Sequence, residues 1–305
     1  MFKTPILFLI FNRPEITQRV FEEIKKQKPN YLFVAADGPR SHIQEDIEKC
    51  KATRDLVLKG IDWDCEVKTL FRDENLGCGL AVSEAITWFF DNVEQGIILE
   101  DDCLPHHSFF GYCEILLERY KNDDEVMTIS GNNFQEGIKR GDGSYYFSSH
   151  PHIWGWATWK RAWSHYDYAM KNWPEFKENK LLFKYNANQD QYNYWLKVFQ
   201  KTYDGEINTW DYQLTFASWF EAKLNILPNV NLVKNIGFGK DATHTNGESS
   251  FANMKTQDIG RITHPQIIQV NKKADRYISE KCFNIQKRKR LQLHIPKWFK
   301  KILKK

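Results

Sequence analysis

No apolar run in this 305-residue chain approaches the roughly 20 residues that a membrane-spanning helix needs, so the sequence predicts no spanning segment. Cysteine is sparse. The six present form no C-x-x-C pair and show no Cys/His spacing suited to zinc, which argues against a disulfide-stapled or zinc-stapled small domain and predicts reduced thiols in a cytosolic protein. The opening "MFKTPILFLIFNRPE" lacks a small-residue cleavage site, and Asn12, Arg13 and Pro14 end its short apolar run, so it reads as a buried strand rather than a signal peptide. There is no internal repeat and no long low-complexity linker. Positive charge is missing where a nucleic-acid-binding body would carry it. Residues 287–305, "KRKRLQLHIPKWFKKILKK", hold nine Lys or Arg and no acid, while the other 286 residues hold 34 basic against 39 acidic side chains, a net charge of about −5. Bulk electrostatics therefore gives no reason to expect nucleic acid.

What is present is a globular composition, 42% hydrophobic and 27% charged, sufficient for one large domain or two small ones. Short apolar runs alternate with amphipathic segments. "PILFLIF" (5–11), "YLFVAAD" (31–37), "CEVKTLF" (65–71), "GIILE" (96–100) and "VMTIS" (126–130) read as strands, with helices from Pro14, over about 44–59, from near Gly79 and over about 107–120. Such alternation predicts an α/β fold with a mostly parallel, doubly wound sheet. Ligands of such sheets sit outside the carboxyl ends of the strands, where Asn12, Asp37, Arg72 and the run Glu100–Asp102 all fall. From about residue 145 the composition shifts, and eight of the eleven tryptophans lie between Trp154 and Trp219, which predicts a Trp-rich second part. The expected organisation is residues 1–135, 136–286 and a basic amphipathic tail, 287–305. The polar stretch "KDATHTNGESSFAN" is a candidate mobile loop.

The stretch "GIILEDDCLPHHSFF" sets three carboxylates, Glu100, Asp101 and Asp102, at the end of a strand, where mutual repulsion and poor strand propensity both oppose them. Alternation sends Glu100 and Asp102 one way and Asp101 the other. Two explanations remain open. They form an anionic cluster at the N-terminus of the following helix, or they hold a hard cation, Mg²⁺ or Mn²⁺, whose remaining positions are filled by phosphate oxygens and water. Asp211 in "TWDYQ" reads equally as a helix N-terminal acid and as a general base. Asp37 reads as a turn residue before Gly38 and Pro39, or as a ligand-binding acid. The tryptophans of "HIWGWATW" could present faces to a sugar or fill a core.

With "PILFLIFNRPE", "FVAADGPR", "FRDENLGCG", "GIILEDDCLPHHSFF", "GWATWKRAW" and "WDYQ" in this order, the chain resembles the GT-A-fold glycosyltransferases over roughly residues 5–245. The likeness is to bacterial nucleotide-diphospho-sugar transferases and, more distantly, to the N-acetylglucosaminyltransferase I type with its E-D-D motif. The resemblance implies a GT-A, Rossmann-like sheet with an acceptor-side subdomain, a nucleotide-sugar-binding half (1–135), an acceptor and catalytic half (136–286), and an inverting, metal-dependent transfer in cell-surface polysaccharide synthesis. It also implies roles. Asp37 would accept from a uracil imide, Arg13 would lie near the nucleotide, and Arg72 near the donor diphosphate or sugar. Gly77 and Gly79 would allow close backbone approach. Asp101 would hold the ribose, Asp102 would ligate Mn²⁺ or Mg²⁺, Glu100 would support the donor sugar, and Asp211 would be the base. His244 would complete the metal shell or bond a phosphate. Cys78, Cys103, His106 and His107, nearby, read as packing or polar-shell residues.

Two competitors are a nucleotidyltransferase, against which "FNRPEI" lacks a glycine-rich loop after the first strand, and a nucleotide-sugar-binding protein without turnover. In the tail, Ile295, Trp298, Phe299 and Ile302 recur on one helical face with lysines opposite, a pattern suited to an anionic membrane surface. A disordered tail, or a helix docked on the acidic body, is the alternative. With lipid-linked glycan acceptors in view, the chain is expected in the cytoplasm, peripherally at the inner face of the membrane.

Overall fold

The structure, a computed structural model, describes residues 2–186, 188–238, 251 and 254–283. Four strand–helix repeats open the chain: β1 (Ile6–Ile10), α1 (Pro14–Gln27), β2 (Tyr31–Ala36), α2 (Gln44–Gly60), β3 (Glu66–Phe71), α3 (Gly77–Asn92), β4 (Gln95–Glu100), a short β5 (Cys103–Pro105) and α4 (His107–Arg119). Proline in the first turn of α1 needs no backbone donor there, and the buried stripe Thr17, Val20, Phe21 and Ile24 fixes the face that meets the sheet. β1 is buried along its whole length, as a strand covered by helices on both faces must be.

The later strands are β6 (Val126–Ser130), β7 (Tyr145–Ser148), β8 (Trp156–Trp159), β9 (Leu224–Pro228) and β10 (Val233–Asn235). The helices are α5 (Lys160–Trp163), α6 (Trp173–Glu178), α7 (Gln189–Tyr203), α8 (Asp211–Phe220) and α9 (Lys272–Lys281), with a 3₁₀ turn at Leu181–Lys184. The main sheet has eight strands in the order β3-β2-β1-β4-β8-β6-β9-β7, and β10 pairs separately with β5. β1 to β4 are mutually parallel, while β8 runs antiparallel to both β4 and β6 and β7 antiparallel to β9. The architecture is therefore α/β with a mostly parallel, mixed, Rossmann-like sheet flanked by helices.

Strand positions follow the hydrophobic runs closely, but strand neighbours do not follow chain order. β6 is separated from β4 by β8, which comes from the Trp-rich part of the sequence. The sheet and its core thus cross the expected boundary at residue 135, with Ile97, Ile129, Phe147 and Trp156 in one cluster. A second aromatic cluster, including Trp173, Trp195, Phe199, Phe216 and Trp219, is built on α6 to α8 and the 3₁₀ turn. Of the eight tryptophans between 154 and 219, all except Trp154 are buried, so for seven the core explanation holds. His244, most of the polar stretch 240–253 and the tail 287–305 lie outside the described residues. Among the described residues no helix is long and apolar enough to cross a membrane. All six cysteines are unpaired.

α3 lies close on the sheet because β4 offers Gly96 beneath it. A Cβ there would sit 2.6 Å from Phe89 Cε1 and 2.9 Å from the Pro5 carbonyl oxygen. Gly96→Ala should therefore cost about 1–3 kcal/mol of unfolding free energy in urea titration. The double variant with Phe89→Leu should cost less than the sum of the single changes, and strict additivity would show that the ring and the glycine do not share this space.

Candidate functional site

The order β3-β2-β1-β4 means that the chain winds outward from β1 to β3 and then restarts on the other side of β1 at β4. The loops after β1 and β4 therefore diverge and leave a crevice at the carboxyl ends of the strands, the standard ligand position in open α/β sheets. Leu9 on β1 pairs with Glu100 on β4, so Arg13 and the three acids emerge side by side. A cleft of ≈ 650 Å³ opens there, and Arg13, Asp37, Arg72, Glu100, Asp101, Asp102 and Asp211 all line it.

Arg13 holds two of the acids. Its Nε donates to Asp101 Oδ2 at 3.4 Å, and its Nη2 donates to Asp101 Oδ1 and, at 3.0 Å, to Asp102 Oδ2. Burial works against the charge on Arg13, but Asp101 and Asp102 outweigh it and raise its pKa. Asp101 is buried and accepts also from Thr17 Oγ1 at 3.4 Å, so its carboxylate is turned into the protein and is engaged there. Its position makes it the anchor of Arg13. Glu100 has no hydrogen bond or ion pair among the described residues. Burial, followed by the charges of Asp102 and Asp101, pushes its pKa well above the ordinary carboxylate value.

One guanidinium against three carboxylates leaves two negative charges in a buried place, and Glu100 answers by holding its proton. That stabilising response is complete below the ordinary carboxylate pKa of about 4.3 and is lost as pH rises through the higher folded value, so Glu100 favours the ligand-free fold at acid rather than neutral pH. Hard oxygen donors with excess negative charge fit a divalent cation such as Mg²⁺ or Mn²⁺. Asp102 is further set by Asn235 Nδ2, 3.3 Å from its Oδ1, and by the Ile236 N–H donating to its carbonyl at 2.8 Å. Both contacts depend on the β5–β10 pairing, which places Cys103 opposite Asn235. Gly237 lies so close that any Cβ would collide with the Asp102 side chain.

Asp37 does something other than expected. Its carboxylate accepts from Gly38 N (2.9 Å), Asn75 Nδ2 (2.9 Å), Leu76 N (3.0 Å) and Gly77 N (3.0 Å), which fills the roughly four acceptor sites a carboxylate has. It ties the loop before α3 to the end of β2, each carboxylate oxygen accepting twice. Gly77 and Gly79 are likewise explained within the chain. Gly77 has φ +78°, and Cβ atoms at Gly77 and Gly79 would lie 2.6 and 2.7 Å from the Asn208 side chain, whose Oδ1 accepts from Gly79 N at 2.9 Å. Asn208 makes the close approach in this structure.

Asp211 begins α8, where its charge suits the helix dipole, and its Oδ1 accepts from Thr209 Oγ1. The preceding Trp210 is buried and stacked on Trp156 of β8 at 5.6 Å, which holds the start of α8 against the sheet. Cys78 reports how closely the acids converge. Burial first, then Glu100, Asp211, Asp102 and Asp37, push its thiol up to about 12.

Arg72 lies on the wall with Nη2 donating to Glu84 at 2.9 Å. Arg40 also lines the cleft and was missed; it pairs with buried Asp46 through Nε (2.6 Å) and Nη2 (3.0 Å) and passes over the Phe11 ring. Its signal was available in the sequence, because Arg13, Arg40 and Arg72 each follow a strand within a few residues. Asn208, Asn235 and Gly237 carried no local signal, since their places depend on pairing with residues about a hundred or more positions away.

No family model matches the chain, and no curated protein matches its sequence. Solved structures similar to it include an apo UDP-glucose pyrophosphorylase (11% identity, TM-score 0.38, 74% of this chain and 90% of that one). Others are HddC from Yersinia pseudotuberculosis (11%, TM-score 0.32, 58% and 87%) and the inositol-1-phosphate CTP transferase from T. maritima (11%, TM-score 0.31, 53% and 73%). Likeness at this level carries no argument about the reaction.

If Asp37 is a loop anchor, Asp37→Ala should lower stability by about 2 kcal/mol, because three backbone donors lose their acceptor. It should also expose residues 73–77 to limited proteolysis. Unchanged stability with weakened nucleotide binding would instead identify Asp37 as a base-binding residue.

Proposed function

We propose that the chain is an inverting glycosyltransferase of the GT-A type, moving a sugar from a nucleotide-diphosphate donor, with a UDP-sugar as first choice, to a glycan or lipid-linked acceptor. The observation that supports this most is that Asp211, from the far half of the chain, lines the same cleft as Glu100, Asp101 and Asp102. An acid on the same cleft that is not needed to hold the cation stays available to accept the proton of an attacking hydroxyl.

In this reading Arg13, Arg40 and Arg72 complement the donor diphosphate, as guanidinium groups do. Asp102 and Glu100 would hold Mn²⁺ or Mg²⁺, which supplies Lewis-acid stabilisation of the charge on the departing diphosphate. Arg13 keeps Asp102 in place, and Gly237 leaves room beside it. The acceptor hydroxyl oxygen attacks the anomeric carbon, its proton passes to Asp211, and the bond to the diphosphate oxygen breaks with its electron pair leaving on the nucleotide. Trp154, half-buried on the cleft wall against Phe134 and Phe238, would offer its face to a sugar. His244 stays a sequence-based candidate for the metal or phosphate. Peripheral attachment of a cytoplasmic enzyme to an anionic membrane through residues 287–305 stays equally a proposal.

A second reading is nucleotidyl transfer, which three cleft arginines would also suit, since a nucleoside triphosphate carries more charge than a diphosphate. The two differ in products. Glycosyl transfer releases a nucleoside diphosphate, nucleotidyl transfer releases pyrophosphate, and a binding protein without turnover releases neither.

Incubation with UDP-sugars, Mn²⁺ and glycan or lipid-linked acceptors should release nucleoside diphosphate and form a new glycoside. Asp211→Asn should lower that rate by about 10²–10⁴ with donor affinity nearly unchanged. Pyrophosphate release from a nucleoside triphosphate and a sugar phosphate would replace the proposal with the second reading. Wild-type transfer in the folded variant would remove Asp211 from the reaction.

A further inference from the structure

Away from the cleft, His106, His107 and Asp258 bring three ligand atoms within 4.8 Å of one another. Two come from the start of α4 and one from the returning segment 254–262, so the cluster joins parts of the chain about 150 residues apart. Its surroundings are ordered as the surroundings of a metal site are. His106 Nδ1 lies 2.8 Å from Ser108 Oγ, and that hydroxyl accepts from Ile259 N at 3.3 Å. Ser108 N also donates to His106 Nδ1 at 3.3 Å, so in the free chain the ring proton sits on Nε2, and a cation bound at Nε2 requires that proton to move to Nδ1, where Ser108 Oγ accepts it. Asp258 Oδ1 accepts from Gly260 N at 2.7 Å, while Oδ2 lies 3.0 Å from His107 Nε2. One carboxylate oxygen is therefore committed to the loop and the other to the imidazoles. The two imidazole rings lie 4.1 Å apart.

We propose that His106, His107 and Asp258 form a binding site for a borderline transition-metal dication of the Zn²⁺ class, distinct from the oxygen-rich cleft. Two imidazoles and one carboxylate select zinc, cobalt or nickel over magnesium or calcium and leave coordination positions for water. This revises the reading of His106 and His107 as polar-shell residues. The ion would staple the segment 254–262 to α4. That segment is also held by the hydrogen bonds Gln257 N to Asn231 O (2.9 Å), Asn231 Nδ2 to Lys255 O (3.5 Å), Ile259 N to Ser108 Oγ (3.3 Å) and Ser144 Oγ to Arg261 O (3.3 Å). α4 follows β5, and β5 pairs with β10 to position Asn235 against Asp102, so a staple here braces the outer support of the cleft. Its role is to position structure, and it holds whether or not the cleft transfers sugars.

The test uses Co²⁺ alone as a visible-absorption probe on the full chain carrying Asp102→Ala, which removes the cleft as a competing site. One Co²⁺ per chain should bind, be displaced by Zn²⁺ and not by Mg²⁺, and protect the segment 254–262 from proteolysis. His107→Ala and Asp258→Asn change exposed side chains and should leave the fold intact while weakening Co²⁺ binding at least about tenfold. Equal binding by these variants, or no saturable one-to-one binding, would overturn the site.

Discussion

The structure turns on one electrostatic imbalance. Three consecutive carboxylates leave the end of β4, and a single guanidinium, Arg13 from the end of β1, meets them. β1 and β4 adjoin only because the sheet reverses its winding between them, so the fold brings the opposite charges together and the same reversal opens the cleft in which they remain undercompensated. An imbalance of this kind in a buried place opposes folding unless protons or a cation relieve it. A raised Glu100 pKa is the proton response, and the composition of the site suits the cation response.

The remainder of the cleft is built to hold that arrangement still. Asp37 closes the loop before α3 on the end of β2, Asp46 fixes Arg40, and Asn208 reaches from the segment before α8 to the first turn of α3. On the opposite wall the stacked pair Trp156 and Trp210 seats the start of α8, and with it Asp211. Polar anchors position the loops and aromatic packing positions the helix. Apart from Trp154, the tryptophans of the second part thus serve the site through the core.

The strands and helices of the first half were legible in the sequence because β1, β2 and β4 are largely buried apolar runs and α1 shows a clear apolar stripe, while the edge strand β3 is only half-buried. Asp37, Arg72 and Glu100–Asp102 were legible for a different reason, their place at strand ends where open sheets bind ligands, while Arg13 and the base role of Asp211 came from the resemblance. Neighbour order in the sheet was not legible, since β8 enters between β4 and β6 through non-local pairing that leaves no local pattern. Nor was the work done by Asp37, Asp101, Gly77 and Gly79. Residue type and spacing point equally to a ligand and to the chain's own loops, and the contacts with Asn75, Thr17 and Asn208 come from positions too distant in sequence to be read there.

The central claim is that the charge left over beside Arg13 is a cation site completed by a nucleoside diphosphate. Its most direct measurement is Mn²⁺ affinity in the presence of UDP from about pH 5.5 to about pH 8, in the wild-type chain and in Glu100→Gln. Binding must displace the Glu100 proton, so affinity should rise with pH in the wild type and flatten once Glu100 is ionised, while the variant shows a weaker slope. Mn²⁺ affinity independent of both UDP and pH, with Glu100→Gln indistinguishable from wild type, would contradict the account.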